Sequence, residues 1–238
     1  MDNQSQQDRY NALRQQWPEL FDNPVDFPFT ILFEPSQVTA AEDAQRARLA
    51  ALGQPESWAC TGVVYEDPYL IVARDAVRFP GGFLGTYVRA IPATGAVGAA
   101  VLPVLDDQVV LLDHARHATR TSHLEIPRGF GEPGVAAADQ ARQELREEIG
   151  ADAVNLTDLG PFHANTGMSS DVTQLFVAEI RAFGKPQAEE GITDVRLYPA
   201  REVAELIKTG QITDGFTIAA FTRAWLLARL PGLPSVEP

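Results

Sequence analysis

The chain has 238 residues, 45% of them apolar and 21% charged, which suits a folded domain with an extension and excludes a disordered chain. Its 32 acidic against 19 basic residues leave a net charge of −13, which disfavours a general nucleic-acid binder, because phosphates call for a basic face. Divalent cations can still bring a small polyanionic substrate to an acidic protein.

Cys60 is the sole cysteine, so no intrachain disulfide can form. The stretch "MDNQSQQDRYNALRQQWPEL" has neither a basic n-region nor an apolar h-region. No apolar run reaches the roughly 18 residues of a membrane span. The expectation is a cytoplasmic protein without membrane or nucleic-acid partners.

Residues 1–56 read as an extension of two short helices. "QDRYNALRQQW" spaces Tyr10, Leu13 and Trp17 helically, "DNPVDFPF" is a proline-broken loop, and "TAAEDAQRARLAALG" offers Thr39 as N-cap and Gly53 as stop. From Trp58 the texture is β. Two strands flank "EDP", "PGG" at 80–82 marks a hairpin before "FLGTYVRAIP", and "AVGAAVLPVLDDQVVLLDHARH" gives two strands around "DD". "SHLEIPRGFGEPG" reads as a Gly/Pro-rich loop. "VAAADQARQELREEIG" is the strongest helix, with Gly150 at its end. "DVTQLFVAEI" and "ITDVRLYPA" read as strands, "REVAELIKTG" and "GFTIAAFTRAWLLARL" as helices, and "VAEIRAF" and the Trp225–Leu230 stripe as core. The mixed order predicts α+β.

Glu144, Glu147 and Glu148 share one helix face at i, i+3 and i+4, in the last turn. Like charges repel there, and the macrodipole favours cations. One reading is a solvated acidic face salted by Arg142 and Arg146. The other is a site for a hard divalent cation, since carboxylate oxygens suit Mg²⁺ or Mn²⁺. The upstream glycines Gly129, Gly131 and Gly134 favour the second, because they let backbone approach a metal–phosphate group closely.

"GFGEPGVAAADQARQELREEIGA", 129–151, resembles the Nudix box, whose pattern is G-x5-E-x7-R-E-U-x-E-E-x-G-U with U aliphatic. Gly129, Glu144, Leu145, Glu147, Glu148 and Gly150 match. Val135 replaces the loop glutamate, Gln143 the arginine, and Ala151 the final aliphatic residue. The two lost charges read as one paired event, because removing both partners of an ion pair strands neither. The likeness runs from about residue 60 to 228. "LEIPRG" is similar to the run before the box in ADP-ribose pyrophosphatases, "LLDHARHA" to a strand ending in arginine, and "NTGMSSDVTQLFVAEI" to a loop that carries a catalytic acid.

The resemblance implies an α/β/α Nudix sandwich with a mixed sheet over 99–230 and a tail at 231–238. It also implies a small β-rich N-terminal domain over 57–98 that forms a homodimer. It implies Mg²⁺ or Mn²⁺ held by Glu144, Glu147, Glu148 and the carbonyl of Arg128, with Glu148 or Asp171 as general base. Arg116, Glu125, Arg128, Gly129 and Phe130 become substrate-contact candidates, although Arg116 reads equally as an ordinary strand-end arginine, the Arg128 guanidinium as solvent-facing and Phe130 as core. The implied reaction cleaves the pyrophosphate of a nucleoside diphosphate linked to another moiety, ADP-ribose first. Thr166 stands where a proline accompanies ADP-ribose preference, which keeps NDP-sugars and dinucleotides open. Val135 and Gln143 keep open a nucleotide-sensing module that does not cleave. A zinc site at His114, His117 and His123 is the weakest constellation.

Overall fold

The computed structural model describes residues 3–185, 191–230, 232 and 233. The chain divides into two compact units, Met1–Gly95 with Asn165–Asp171, and Ala96–Ala164 with Val172–Pro238. The expected 231–238 tail lies outside the described residues apart from 232 and 233.

The first unit holds α1 (Asn3–Gln16), β1 (Thr30–Ile31), α2 (Pro35–Ala51), β2 (Gly62–Glu66), β3 (Leu70–Arg78) and β4 (Leu84–Pro92). β3 is central and all its pairings are antiparallel: β4 runs along one edge, β2 and then β1 along the other. The helices of the extension pack on this sheet. Tyr10 and Leu13 of α1 are buried with Val63, Ile71 and Ile91, and Ala41 of α2 is buried with Leu32 and Ala76. Thr39 is not the cap of α2. The helix starts earlier, behind Glu34 with Pro35 at its first turn, and the Thr39 hydroxyl donates back to the Pro35 carbonyl. Gly53 does stand just past the end, at φ 65°. The segment 165–171 is laced to β4: Ala90 N donates to Met168 O at 2.7 Å, Ser170 N to Ala90 O at 3.1 Å, and Tyr87 Oη to Gly167 O at 2.5 Å.

The second unit is built on seven strands: β5 (Gly98–Leu105), β6 (Gln108–Arg116), β7 (Thr121–Glu125), β8 (Arg128–Gly129), β9 (Ala153–Phe162), β10 (Thr173–Ile180) and β11 (Ile192–Pro199). The order is β11-β6-β5-β10-β9, with β7 on β6 and β8 on β5. Only β5–β10 is parallel, so the sheet is mixed. Asp106 and Asp107 turn β5 into β6, both with positive φ (46° and 66°), as a two-residue hairpin of right-handed strands requires. Helix α3 (Ala137–Ile149) covers one face and α4 (Ala200–Lys208) with α5 (Gly215–Leu226) the other. Alternate residues of β5 serve the two cores: Ala99 and Val101 pack with Leu145 and Ile149 of α3, while Ala100 and Leu102 pack with Val203 and Phe221. Burial on both faces explains why β5 and β6 read as continuous apolar runs. This is the expected α/β/α sandwich.

Three sequence expectations are corrected. The "Gly/Pro-rich loop" carries β7 and β8, because neighbouring strands β6 and β5 supply partners that composition does not reveal. β9 has no counterpart in the sequence reading. Among the described residues it pairs only with β10, and the register shift at Leu159, with Gly160 and Pro161 beside it, breaks its alternation. In the Trp225–Leu230 stripe only Leu230 is fully buried, and Leu226 and Leu227 are each 55% exposed where α5 ends.

Candidate active site

Helix α3 carries two parallel stripes at i, i+4 spacing. Ala141, Leu145 and Ile149 are apolar and buried, and Gln140, Glu144 and Glu148 are polar and also buried. Burying two carboxylates costs free energy unless their charge meets a compensating partner. Gly150 closes the helix in the left-handed conformation, its N–H on Arg146 O, while Ala151 N reaches Leu145 O. That closure fixes where the last turn, and so Glu147 and Glu148, must stand.

β8 brings the glycine loop to this stripe. Its pairing with Ala99 and Ala100 of β5, and the bond from Val101 N to Pro127 O at 2.9 Å, hold its backbone. A Cβ added at Gly129 would lie 2.1 Å from Glu144 Oε1 and 2.7 Å from Oε2. Gly129 is therefore required for space: the Glu144 carboxylate occupies the position of its missing side chain. Gln140 Nε2 donates to Glu144 Oε1 at 2.7 Å and sets its orientation.

Glu147 is less buried. Gln143 Nε2 donates to its Oε1 at 3.0 Å and to Glu132 Oε1 in the loop at 3.3 Å. The loop-to-helix brace expected to be lost with Val135 and Gln143 is thus kept in another form, from Gln143 to Glu132, while Val135 itself is 38% exposed. Arg142 and Arg146 do not salt the acidic face. They pair with Asp139 at 3.6 Å and Asp152 at 3.8 Å.

A second cluster lies at the ends of β6, β7 and β8. Glu125, with a side chain only 3% exposed, accepts from Arg116 at 2.5 Å and from Arg128 at 3.4 Å. Arg128 also lies 3.8 Å from Asp214 and 4.6 Å over the Phe216 ring. Asp214 caps α5 by accepting from Thr217 N at 2.8 Å, and Thr217 Oγ1 accepts from Ile126 N at 3.1 Å. The Arg128 guanidinium is therefore anchored by acids and a ring; it does not simply face solvent. Its Nε is buried and has no hydrogen-bond partner among the described residues. Arg116 is likewise no free strand end. Phe130 is 62% exposed and is not core.

The second unit thus brings together Arg116, Glu125, Arg128 and Gly129 at the strand ends, and Glu144, Glu147 and Glu148 on α3. Asp171 belongs to the first unit, where its N–H donates to Ser169 Oγ at 3.0 Å. His114 and His123 are register partners across β6 and β7, whereas His117 lies beyond the end of β6. His114 is buried, His117 contacts Arg120 at 2.8 Å, and His123 contacts Thr119 at 2.7 Å and Thr213 at 3.3 Å. Among the described residues no group of three His, Cys, Asp or Glu side chains is gathered as a metal site. The donor chemistry at α3 nonetheless fits a hard divalent ion: the buried carboxylates of Glu144 and Glu148, with a backbone cradle at Gly129 that any Cβ would fill.

Sequence reasoning missed Gln140, Glu132, Asp214 and Thr217. Gln140 was findable four residues before Glu144 on the helix, and Asp214 as an acid before a helix with threonine three residues on.

A mixed sheet between helices, with a glycine strand seated on the glutamate face of α3, defines a Nudix hydrolase. The NUDIX domain model matches residues 95–219, and the chain belongs to that family. The chain is similar to the ADP compounds hydrolase NudE of Escherichia coli (strain K12), with 25% identity over 157 residues, 63% of this chain and 82% of that protein. A crystal structure of an ADP compounds hydrolase has the same fold, with a TM-score of 0.62 and 22% identity, covering 71% of this chain and 92% of that one.

Proposed function

We propose that this protein hydrolyses the pyrophosphate bond of a nucleoside diphosphate linked to a second moiety, with ADP-ribose the first candidate. Water adds to one phosphorus, the bridging P–O bond breaks, and AMP and ribose 5-phosphate leave. One observation carries the reading: the Gly129 backbone is fitted to the Glu144 carboxylate on the helix face shared with Glu148. The similarity to an ADP compounds hydrolase supports an ADP-containing substrate.

Glu144 and Glu148 would hold Mg²⁺ or Mn²⁺ directly, Glu147 directly or through water, with the Arg128 carbonyl completing the set. When bound, the ion neutralises the diphosphate and makes water a better nucleophile. Gln140 fixes the rotamer of Glu144, and Gln143 that of Glu147. Arg116 and Arg128, both anchored on Glu125, offer their remaining N–H donors to phosphate oxygens. Glu148 accepts the proton of the attacking water, and Asp171 is the other acid to be tested in that role. Phe130, exposed beside the glycine loop, is available to stack on a base. The retained Gln143–Glu132 contact favours a working site over a sensing module that does not cleave. A homodimer through residues 57–98 in the cytoplasm completes the reading. Light scattering in solution tests the dimer, and a monomer would remove it.

The test is product analysis with ADP-ribose, UDP- and GDP-sugars, NADH and diadenosine polyphosphates, each with Mg²⁺ and with EDTA. Metal-dependent AMP from ADP-ribose is expected. Glu148→Gln should abolish it without moving the thermal midpoint, and Asp171→Asn should leave most of it. Turnover that survives Glu148→Gln rejects the site.

A further inference from the structure

The polar stripe of α3 is buried along its whole length: Gln140 is 3% exposed, Glu144 7% and Glu148 2%. Gln140 falls in the unspecified x7 stretch of the Nudix pattern, outside the glutamate turn. An ionised carboxylate only accepts hydrogen bonds, so the Gln140 amide turns its nitrogen to Glu144, with Nε2 donating to Oε1 at 2.7 Å. That orientation leaves the other end of the amide, Gln140 Oε1, enclosed and without a hydrogen-bond partner among the described residues. A buried carbonyl oxygen left unpaired costs about 1–3 kcal/mol. Glu144 accounts for the amide nitrogen, and no described residue accounts for its oxygen.

The oxygen stands close to the proposed ion. An amide separates its nitrogen and oxygen by about 2.3 Å, which keeps Oε1 within about 5 Å of Glu144 Oε1. A hard ion, alone or with one of its waters, spans that gap. Such ions take at least six oxygens and accept neutral amide carbonyls among them. Among the described residues no three His, Cys, Asp or Glu side chains gather as a metal site, so carboxylates alone do not complete the shell. Charge also favours an amide at this place. Two buried carboxylates balance one divalent ion, whereas a third would leave a net charge buried.

We infer that Gln140 Oε1 is an additional, neutral oxygen donor to the divalent ion at Glu144, directly or through one water. The inference rests on the proposed metal site and extends it by one residue. Gln140 serves there twice: its nitrogen orients a ligand, and its oxygen helps to hold the ion.

The experiment is calorimetric titration of the full chain with Mn²⁺ without substrate, after metal has been stripped with EDTA. Gln140→Met fills the same space and removes both polar ends of the amide. It should weaken Mn²⁺ binding at least about tenfold, the usual effect of losing a partner around a metal. Gln140→Glu removes the N–H but keeps an oxygen. It should bind Mn²⁺ at least as tightly as the wild type, and Mn²⁺ should raise its thermal midpoint by more. Wild-type affinity in Gln140→Met overturns the inference. So does weakened binding in Gln140→Glu, which would leave Gln140 only its orienting bond; this second variant decides alone if Gln140→Met does not fold. Glu148→Gln tests the metal site itself and should lose Mn²⁺ binding. Unchanged binding there, or a wild type that takes up no Mn²⁺, rejects the site and the inference together. Binding lost in Glu148→Gln but kept in Gln140→Met rejects the role of Gln140 alone.

Discussion

Gly129→Ala separates a structural glycine from a glycine that makes room for chemistry. The added methyl carbon would stand 2.1 Å from Glu144 Oε1, 2.5 Å from Cδ and 2.7 Å from Oε2. Ordinary contact begins at 3.4 Å, so the nearest oxygen must withdraw by 3.4 − 2.1 = 1.3 Å. The obstructing atoms are the far end of a flexible side chain, and β8 and α3 need not move. Overpacking of this kind costs about 1–3 kcal/mol, and a yielding carboxylate points to the lower end. The displaced group is nonetheless a proposed metal ligand, and a misplacement of about 1 Å at a reacting centre costs on the order of 100-fold in rate. The expected result is a roughly 100-fold loss in kcat/KM for ADP-ribose with Mg²⁺, about 2.7 kcal/mol, and a thermal midpoint lowered by only a few degrees. Glu144→Asp in the same chain shortens the side chain and should recover the lost stability, not the activity. Wild-type turnover in Gly129→Ala would refute the fitted carboxylate as a functional feature, and global unfolding would refute its flexibility.

Glu132→Ala removes the loop end of the Gln143 brace; turnover should fall several-fold with stability changed by less than about 0.5 kcal/mol, since the contact is exposed. Gln143→Arg alone, with Glu132 intact, should keep or raise turnover, and a large loss there would mean that Gln143 shapes the pocket instead. Glu125→Ala strands two guanidinium groups around a nearly buried position and should cost about 3 kcal/mol in urea unfolding; a loss under about 1 kcal/mol would show the cluster to be solvent-screened. Burial raises the Tyr10 pKa, as does Asp75, which accepts the Tyr10 hydroxyl proton. A raised folded pKa means stability that is complete below the unfolded value of about 10 and lost above it, by about 1.4 kcal/mol per pH unit. Urea midpoints should fall more steeply above about pH 10 for the wild type than for Tyr10→Phe. Parallel curves for the two proteins would exclude Tyr10 as the cause.

The sequence by itself determined the period of each strongly patterned element. α3 could be read from its i, i+4 stripe, and β5 and β6 from short continuous apolar runs bounded by the Asp106–Asp107 turn. It also determined the glutamate turn, since i, i+3 and i+4 must share a helix face whatever surrounds them. Tertiary structure decided everything that depends on a neighbour distant in sequence. β8 is a two-residue strand only because β5 offers Ala99 and Ala100 as partners. β9 is a strand because β10 pairs with it, although Gly160, Pro161 and a register shift interrupt its own pattern. Gln143 appears in the sequence as a lost arginine, yet in space it braces Glu132, eleven positions back across the glycine loop. Arg128 and Asp214 lie far apart along the chain and meet at 3.8 Å, because β8 and the start of α5 end at the same place. Spacing fixes which side chains share a face, whereas packing fixes which faces, loops and strand ends come into contact.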